Sequence, residues 1–159
     1  MSDTIQVVSF KLGSEEYGVD IAQVQEINRM VAVTHVPRGP QFMEGVINLR
    51  GQLIPIIDLR ARFGMARAEH TKNTRIVVTE IGAKRVGMVV DSVSEVLRLP
   101  VEDIEPAPEM ITGVDTEYIR GVGKIEDRLI ILLDLARIIS GAEKRELENA
   151  DAAPEALAV

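Results

Sequence analysis

The sequence predicts a mainly β protein of two small barrels, about five strands each, and three observations carry that reading. Short runs rich in Val, Ile and Leu recur between turn signals every ~8–12 residues, the spacing of a sandwich or barrel. The 46% apolar content includes three Phe, two Tyr and no Trp, so its strands pack through aliphatic contacts. Third, Glu44 to Phe63 (EGVINLRGQLIPIIDLRARF) aligns without gaps on Arg120 to Ile139 (RGVGKIEDRLIILLDLARII). Six of these twenty positions are identical: Gly45/Gly121, Val46/Val122, Leu53/Leu129, Ile54/Ile130, Asp58/Asp134 and Leu59/Leu135. Upstream, Tyr17 to Ile27 resembles Val86 to Val96, with a helix two residues longer in the first copy. The period of about 70–76 residues exceeds that of solenoid repeats and suits a whole small barrel. Two barrels side by side follow, with a single β-sandwich as the alternative.

Each element has a local cause. Ile5 to Leu12 alternates and ends at Gly13-Ser14, a hairpin turn from which Tyr17 to Val19 returns. Asp20 with Gln23 forms a capping box, and Ile21, Val24 and Ile27 share a helical face, predicting about two helical turns. His35-Val36-Pro37 and Gly39-Pro40 make a stiff loop. Gly45 to Leu49 and Leu53 to Ile57 flank an Arg50-Gly51 turn. Pro55 lacks an N–H, which places that strand at an edge or turns its nitrogen outward. Asp58 caps Leu59 to Phe63, and Gly64 closes it. The syntax then restarts with Ile76 to Glu80, the Gly82-Ala83 turn and Val86 to Val90. A short helix from Asp91, strand Val96 to Leu99, and the hairpin Tyr118 to Leu133 around Glu126-Asp127-Arg128 follow. Asp134 caps Leu135 to Ser140, ended by Gly141.

Composition removes whole function classes. With no cysteine, disulfides, thiolate metal sites and Cys nucleophiles are excluded. The start, MSDTIQVVSF, has no basic n-region or long apolar h-region, and the longest apolar run, Leu129 to Leu133, is strand-sized. A soluble, cytoplasmic protein is expected. The net charge of −7 and the scarcity of aromatics argue against nucleic-acid binding. From Glu143 onward five acids stand against two bases, and the last residues, DAAPEALAV, read as frayed.

No catalytic constellation emerges. Asp58 and Asp134 are tempting carboxylates, but each precedes a short helix and the repeat places them in separate barrels, so N-capping accounts for both. His35 and His70 have no ligands at metal spacing, and no GxSxG, P-loop or GxGxxG string occurs. Arg50 stands out at a hairpin tip, where the repeat holds Glu126. Glu26 has an equivalent in Glu95, consistent with an architectural role. The Ile21/Val24 stripe reads as core, although a short helix on a small barrel leaves part of such a face exposed to a partner, and Val8 and Val93 pose the same question.

The strings EEYGVDIAQVQEI, VPRGPQFMEGVINLRGQLIPIIDLRARFG, VGMVVDSVSEV and IEPAPEM resemble the CheW family of bacterial chemotaxis coupling proteins over about Ile5 to Gly141. The most specific stretch is GVINLRGxxIPIIDLR. The same module forms the regulatory domain of the kinase CheA and half of CheV. This chain has no room for a phosphotransfer bundle, an ATP-binding domain or a receiver domain, so it is similar to a free-standing member. The resemblance implies two tandem or intertwined SH3-like five-stranded barrels with short helices, in a domain of residues 1–141 (repeats 5–64 and 75–141). For the tail, 142–159, the sequence leaves open whether helix continues past Gly141 before a disordered end.

It also implies a non-enzymatic adaptor, without cofactor or metal, that couples the cytoplasmic tips of methyl-accepting chemoreceptors to the CheA regulatory domain. Glu26 and Arg50 match an acid and an arginine associated with receptor binding, and their opposite charges suggest a pair; Gly45 and Asn48 match residues near that groove. Val8, Ile21, Val24 and Val93 match the kinase-docking surface. Glu109 and Met110 match a second kinase contact that closes rings; Met110 stands where an aromatic is often found, and Glu105 where a basic residue occurs. The implied protein is a monomer when free, inserts in no membrane, binds no nucleic acid, and is recruited to membrane-associated receptor arrays. The alternatives are a CheW-like scaffold of a non-flagellar chemosensory pathway and, more remotely, a barrel binding a small ligand or nucleic acid.

Overall fold

A computed structural model describes residues 3–35, 43–63, 65–66, 68–82, 84–106 and 118–138. Eleven strands carry nearly all of it: β1 (Thr4–Leu12), β2 (Glu15–Asp20), β3 (Val24–Arg29), β4 (Met43–Leu49), β5 (Gln52–Asp58), β6 (Arg75–Ile81), β7 (Lys84–Val90), β8 (Ser92–Pro100), β9 (Ile104–Glu105), β10 (Ile119–Ile125) and β11 (Arg128–Leu133). Two short helices, α1 (Leu59–Arg62) and α2 (Leu135–Ile138), follow β5 and β11. The mainly β expectation holds.

The strands form two sheets, a six-stranded one ordered β8-β1-β2-β11-β10-β9 and a five-stranded one ordered β3-β6-β7-β5-β4. Each sheet mixes the two sequence repeats. The β1–β2 hairpin of the first repeat lies between β8 and β11 of the second, while β6–β7 of the second lies between β3 and β5 of the first. The exchange is symmetric in register: Tyr17 and Gly18 run parallel to Ile131 and Leu132, as Gly87 and Met88 do to Ile56 and Ile57. The barrels are therefore intertwined, and a barrel is not a repeat.

This exchange explains the apolar runs that read as continuous rather than alternating. Ile76 and Val78 point into one barrel with Ile47, Ile54, Ile56 and Val89. Val7, Leu97, Leu99, Ile130 and Leu132 fill the other. Between them lies a third core, drawn from both sheets, with Val8, Phe10, Tyr17, Val77, Met88, Ile131 and Leu133. A strand covered on both faces has no solvent side to make polar. Glycine permits a close approach between β7 and β5 at Gly87, where an added Cβ would sit 2.5 Å from Ile56 Cδ1.

Four local expectations change. Asp20 does cap a turn, accepting from the Ala22 N–H at 2.9 Å, but only Ile21–Gln23 is helical, in one 3-10 turn. Val24 and Ile27 belong to β3, because pairing with β6 outweighs the weak helix propensity of β-branched residues. Asp91 starts no helix; its carboxylate is occupied by Arg60 and by the Gly13 N–H, and β8 follows at once. β5 is an interior strand despite Pro55. Val46, opposite Pro55, directs both its N–H and its C=O to Thr34, so this pair exchanges no ladder bonds and the missing donor costs nothing there.

Asp58 and Asp134 cap α1 and α2, accepting from the Arg60 N–H at 3.0 Å and the Ala136 N–H at 3.1 Å. Arg62 of α1 donates to the Ile138 carbonyl at 2.6 Å and lies over the Tyr118 ring at 4.9 Å, tying the two helices together. Gly64, Ser140, Gly141 and the tail lie outside the described residues.

Candidate functional site

The five-stranded barrel closes where the chain beyond β3 meets β4. Thr34 and Val46 exchange two backbone hydrogen bonds, of 2.9 and 2.8 Å. Gly45 makes this possible: its φ is 152°, and a Cβ there would sit 2.1 Å from the Thr34 carbonyl oxygen. Gly45 is thus buried architecture, which sets where β3 stands relative to β4.

Closure brings together two charges 24 residues apart. Arg50 and Gly51 form the two-residue loop between β4 and β5, with φ of 53° and 84°. Positive φ at both central residues is what a tight hairpin needs, and glycine meets it at no steric cost. The Asn48 side chain accepts from the Gly51 N–H at 2.9 Å and pins the loop. Arg50, 70% exposed, then donates to Glu26, which is 25% exposed on β3. The other Glu26 oxygen accepts from the Asn28 amide at 2.8 Å. These two bonds, Asn28's first and then Arg50's, hold the Glu26 carboxyl below the usual carboxylate range. The sequence relates Glu26, Asn48 and Arg50 only through resemblance; the structure bonds Glu26 to Arg50 and sets Asn48 against the loop that carries Arg50.

The second barrel has a different charge pattern at the equivalent place. Its loop carries Glu126, also at φ 53°, and the arginine has moved two positions on, to Arg128. Arg128 bonds Glu16 through two nitrogens, at 2.5 and 3.1 Å, and Glu95 at 2.8 Å. Burial acts to raise the Glu16 carboxyl, but hydrogen bonds from Arg128 and Ser9 outweigh it and the net shift is downward. Glu95 is therefore the exposed member of a three-residue cluster in which Arg128 also grips the largely buried Glu16, whereas Glu26 is bonded by the arginine at the hairpin tip itself.

The apolar residues divide. Val8, expected on a docking surface, is 2% exposed within the core between the barrels, and this corrects that expectation: the middle of β1, Val7 to Phe10, is buried on both faces. Ile21 is 37% exposed, and Val24 and Val93 are half-buried against that same core. Ile21 lies near Arg98, at one end of β8, while Val93 opposes Phe10 near its other end. Five residues of strand separate them, about 16 Å. Glu109 and Met110 lie outside the described residues. His70 stands 3.6 Å from Glu44, and among the described residues no group of three His, Cys, Asp or Glu could hold a metal. Among the described residues no helix is long and apolar enough to cross a membrane.

A clamp that sequence reasoning missed fixes the surroundings. Arg60 grips Asp91 through two nitrogens, at 2.9 and 2.5 Å, and Asp91 also accepts from the Gly13 N–H at 2.7 Å. The only signal in the sequence is the arginine two residues after the cap in IIDLR.

The model of the CheW-like domain matches residues 6–143. The chain belongs to the CheW-like family. Its relatives include the chemotaxis protein CheW of Klebsiella aerogenes, 44% identical over 88% of this chain and 84% of that protein. The probable chemotaxis protein CheW of Rhizobium etli is 39% identical over 87% and 89%. The crystal structure of scaffolding protein TtCheW from Thermoanaerobacter tengcongensis is similar with a TM-score of 0.81 and 38% identity, covering 90% of this chain and 92% of that one. The two-barrel architecture is thus that of a CheW scaffold.

Proposed function

We propose that this CheW-like chain is a non-enzymatic adaptor that couples methyl-accepting chemoreceptors to the histidine kinase CheA in a signalling array. The observation that carries the reading is the Glu26–Arg50 pair at the closure of one barrel, with Arg50 on the hairpin tip; in the other barrel the loop carries Glu126 instead, and Arg128 is held by Glu16 and Glu95. An adaptor needs partner-specific surfaces rather than reactive groups. Exposed charges at such a surface select and orient a partner, while neighbouring apolar area supplies affinity.

In this reading the receptor tip engages Glu26 and Arg50, with Asn48 and Gly45 holding them in place. The kinase regulatory domain docks on Ile21 and Val24, with Val93 about 16 Å away along β8 as a separate contact. Glu109 and Met110 are proposed as the second kinase contact that closes rings. The protein acts as a cytoplasmic monomer until it is recruited to receptor arrays.

The test is Arg50→Glu, which sets two carboxylates against each other on an exposed hairpin. The variant is expected to keep wild-type thermal stability within about 1 kcal/mol yet to lose receptor capture and kinase activation. Unchanged receptor pull-down together with normal kinase activation would defeat the assignment.

A further inference from the structure

At the far end of β3 the first barrel carries a group of like charges that the fold does not need. Arg29 lies directly opposite Arg75 across the β3–β6 ladder. Like charges so placed are destabilising. With Lys72 they line an open cleft of about 460 Å³, floored by Met30 and edged by Thr71 and Thr74, and no acidic residue contributes to its lining. Among the described residues, none of the three cations has a carboxylate partner, in a chain of net charge −7.

The arrangement is organised. One nitrogen of Arg75 donates to the Lys72 and Thr74 carbonyls, at 2.8 and 2.9 Å, which fixes the guanidinium and leaves its remaining donors for another group. The turn that carries Lys72 is itself bonded, Thr71 N–H to Thr74 Oγ1 at 2.8 Å.

The duplicated fold supplies an internal control. In the other barrel the equivalent pair is Arg98 opposite Gln6, so the register is built equally well without repulsion. The doubled arginine is a property of one barrel and not of the architecture.

We propose that this cleft binds a carboxylate-bearing segment of a partner protein. A polypeptide is favoured over a small ion because the cleft is open and continuous with exposed apolar surface. Ile27, two residues before Arg29 on the same strand face, is 40% exposed. An acidic side chain would bridge the arginines while a neighbouring apolar side chain covers Ile27. The site is separate from the Glu26–Arg50 pair, and its test uses neither receptor nor kinase, so it stands or falls apart from the adaptor reading.

Amide NMR titration of the full chain decides it, with two probes: a blocked peptide of alternating glutamates and leucines, and inorganic phosphate. The peptide is expected to give saturable shifts at the Arg29 and Thr71 to Arg75 amides. Arg29→Gln and Arg75→Gln should each weaken it about tenfold, the loss of one charge-assisted hydrogen bond. Arg29→Gln should fold with a denaturation midpoint equal to or above wild type, since it removes the repulsion alone; Arg75→Gln also gives up its two carbonyl bonds and need only remain folded. No saturable shift with the peptide, or an affinity unchanged in both variants, overturns the proposal. Phosphate binding more tightly than the peptide also overturns it, as the mark of a small-oxyanion site.

Discussion

Gly45→Ala tests how one residue sets the geometry of the Glu26–Arg50 pair. The added methyl would lie 2.1 Å from the Thr34 carbonyl oxygen and 2.8 Å from both the Thr34 carbonyl carbon and Val33 Cγ1. A backbone carbonyl cannot rotate aside as a side chain can, so the strands must part by roughly 1 Å or more to restore ordinary contact. That separation forfeits the two Thr34–Val46 hydrogen bonds, of 2.9 and 2.8 Å. Each contributes about 1 kcal/mol net. Holding alanine at the φ of 152° adds about 1–2 kcal/mol of strain. The expected loss is about 3–4 kcal/mol, a large share of a typical domain's stability and equivalent to about 10 °C in Tm. Urea denaturation followed by circular dichroism measures it, with hydrogen exchange of the Thr34 amide as a local reporter. A loss below about 1 kcal/mol with Thr34 still protected would refute the claim that this close approach holds the barrel shut.

Other perturbations follow from the same contacts. Gly87→Ala drives a Cβ to 2.5 Å from Ile56 Cδ1 and 2.9 Å from Ile76 Cγ2, whereas the equivalent Gly18→Ala meets nothing nearer than 3.1 Å. Urea midpoints should show the first costing about 1–3 kcal/mol and the second clearly less; equal costs would contradict the packing described. Arg60→Ala releases Asp91 and loosens the Gly13 turn, an expected loss of about 1–2 kcal/mol, and Arg60→Lys should recover only part, because an ammonium cannot reproduce the two-nitrogen grip. Stability should also fall in acid. Glu26, Glu16 and Asp91 are held below their ordinary values of 4.5, 4.5 and 3.8, so the unfolded chain protonates first. Their contribution is complete above those values and is lost as pH drops through the folded ones. At the alkaline end, burial pushes the Tyr17 phenol up to about 12, so stability should decline once pH passes 10.0, where the unfolded tyrosine ionises. Urea titrations across both ranges check the two signs.

The strands and their turns were legible because Gly, Asp and Asn positions carry local causes that tertiary structure left in place. Gly13, Gly51 and Asp58 do what their residue types suggest, the glycines taking positive φ and Asp58 capping α1, whereas Arg50 at φ 53° does not. What failed had a long-range cause. Val24 and Ile27 fit a helical spacing, and only the β6 ladder decides that they are strand. Asp91 resembles a helix cap until Arg60, 31 residues away, takes its carboxylate. Val8 reads as a possible surface residue until the exchange of hairpins places β1 between two barrels. That exchange could not be read from the repeat, because hairpins kept in one barrel or traded between two leave the same sequence pattern. The proposed receptor-binding pair was partly visible: Arg50 against Glu126 in otherwise matching loops marked the asymmetry, but its meeting with Glu26 depends on barrel closure.

The most direct test of the adaptor reading is co-sedimentation of the full chain with membranes bearing chemoreceptors, with and without CheA. The account predicts that wild-type chain sediments with receptors alone and brings CheA down with it. Arg50→Glu should lose the receptor while still binding the kinase, and Val24→Asp should lose the kinase while still sedimenting with receptors. A wild-type chain that stays in the supernatant, or a single substitution that abolishes both contacts while the protein remains folded, would contradict two separate partner surfaces.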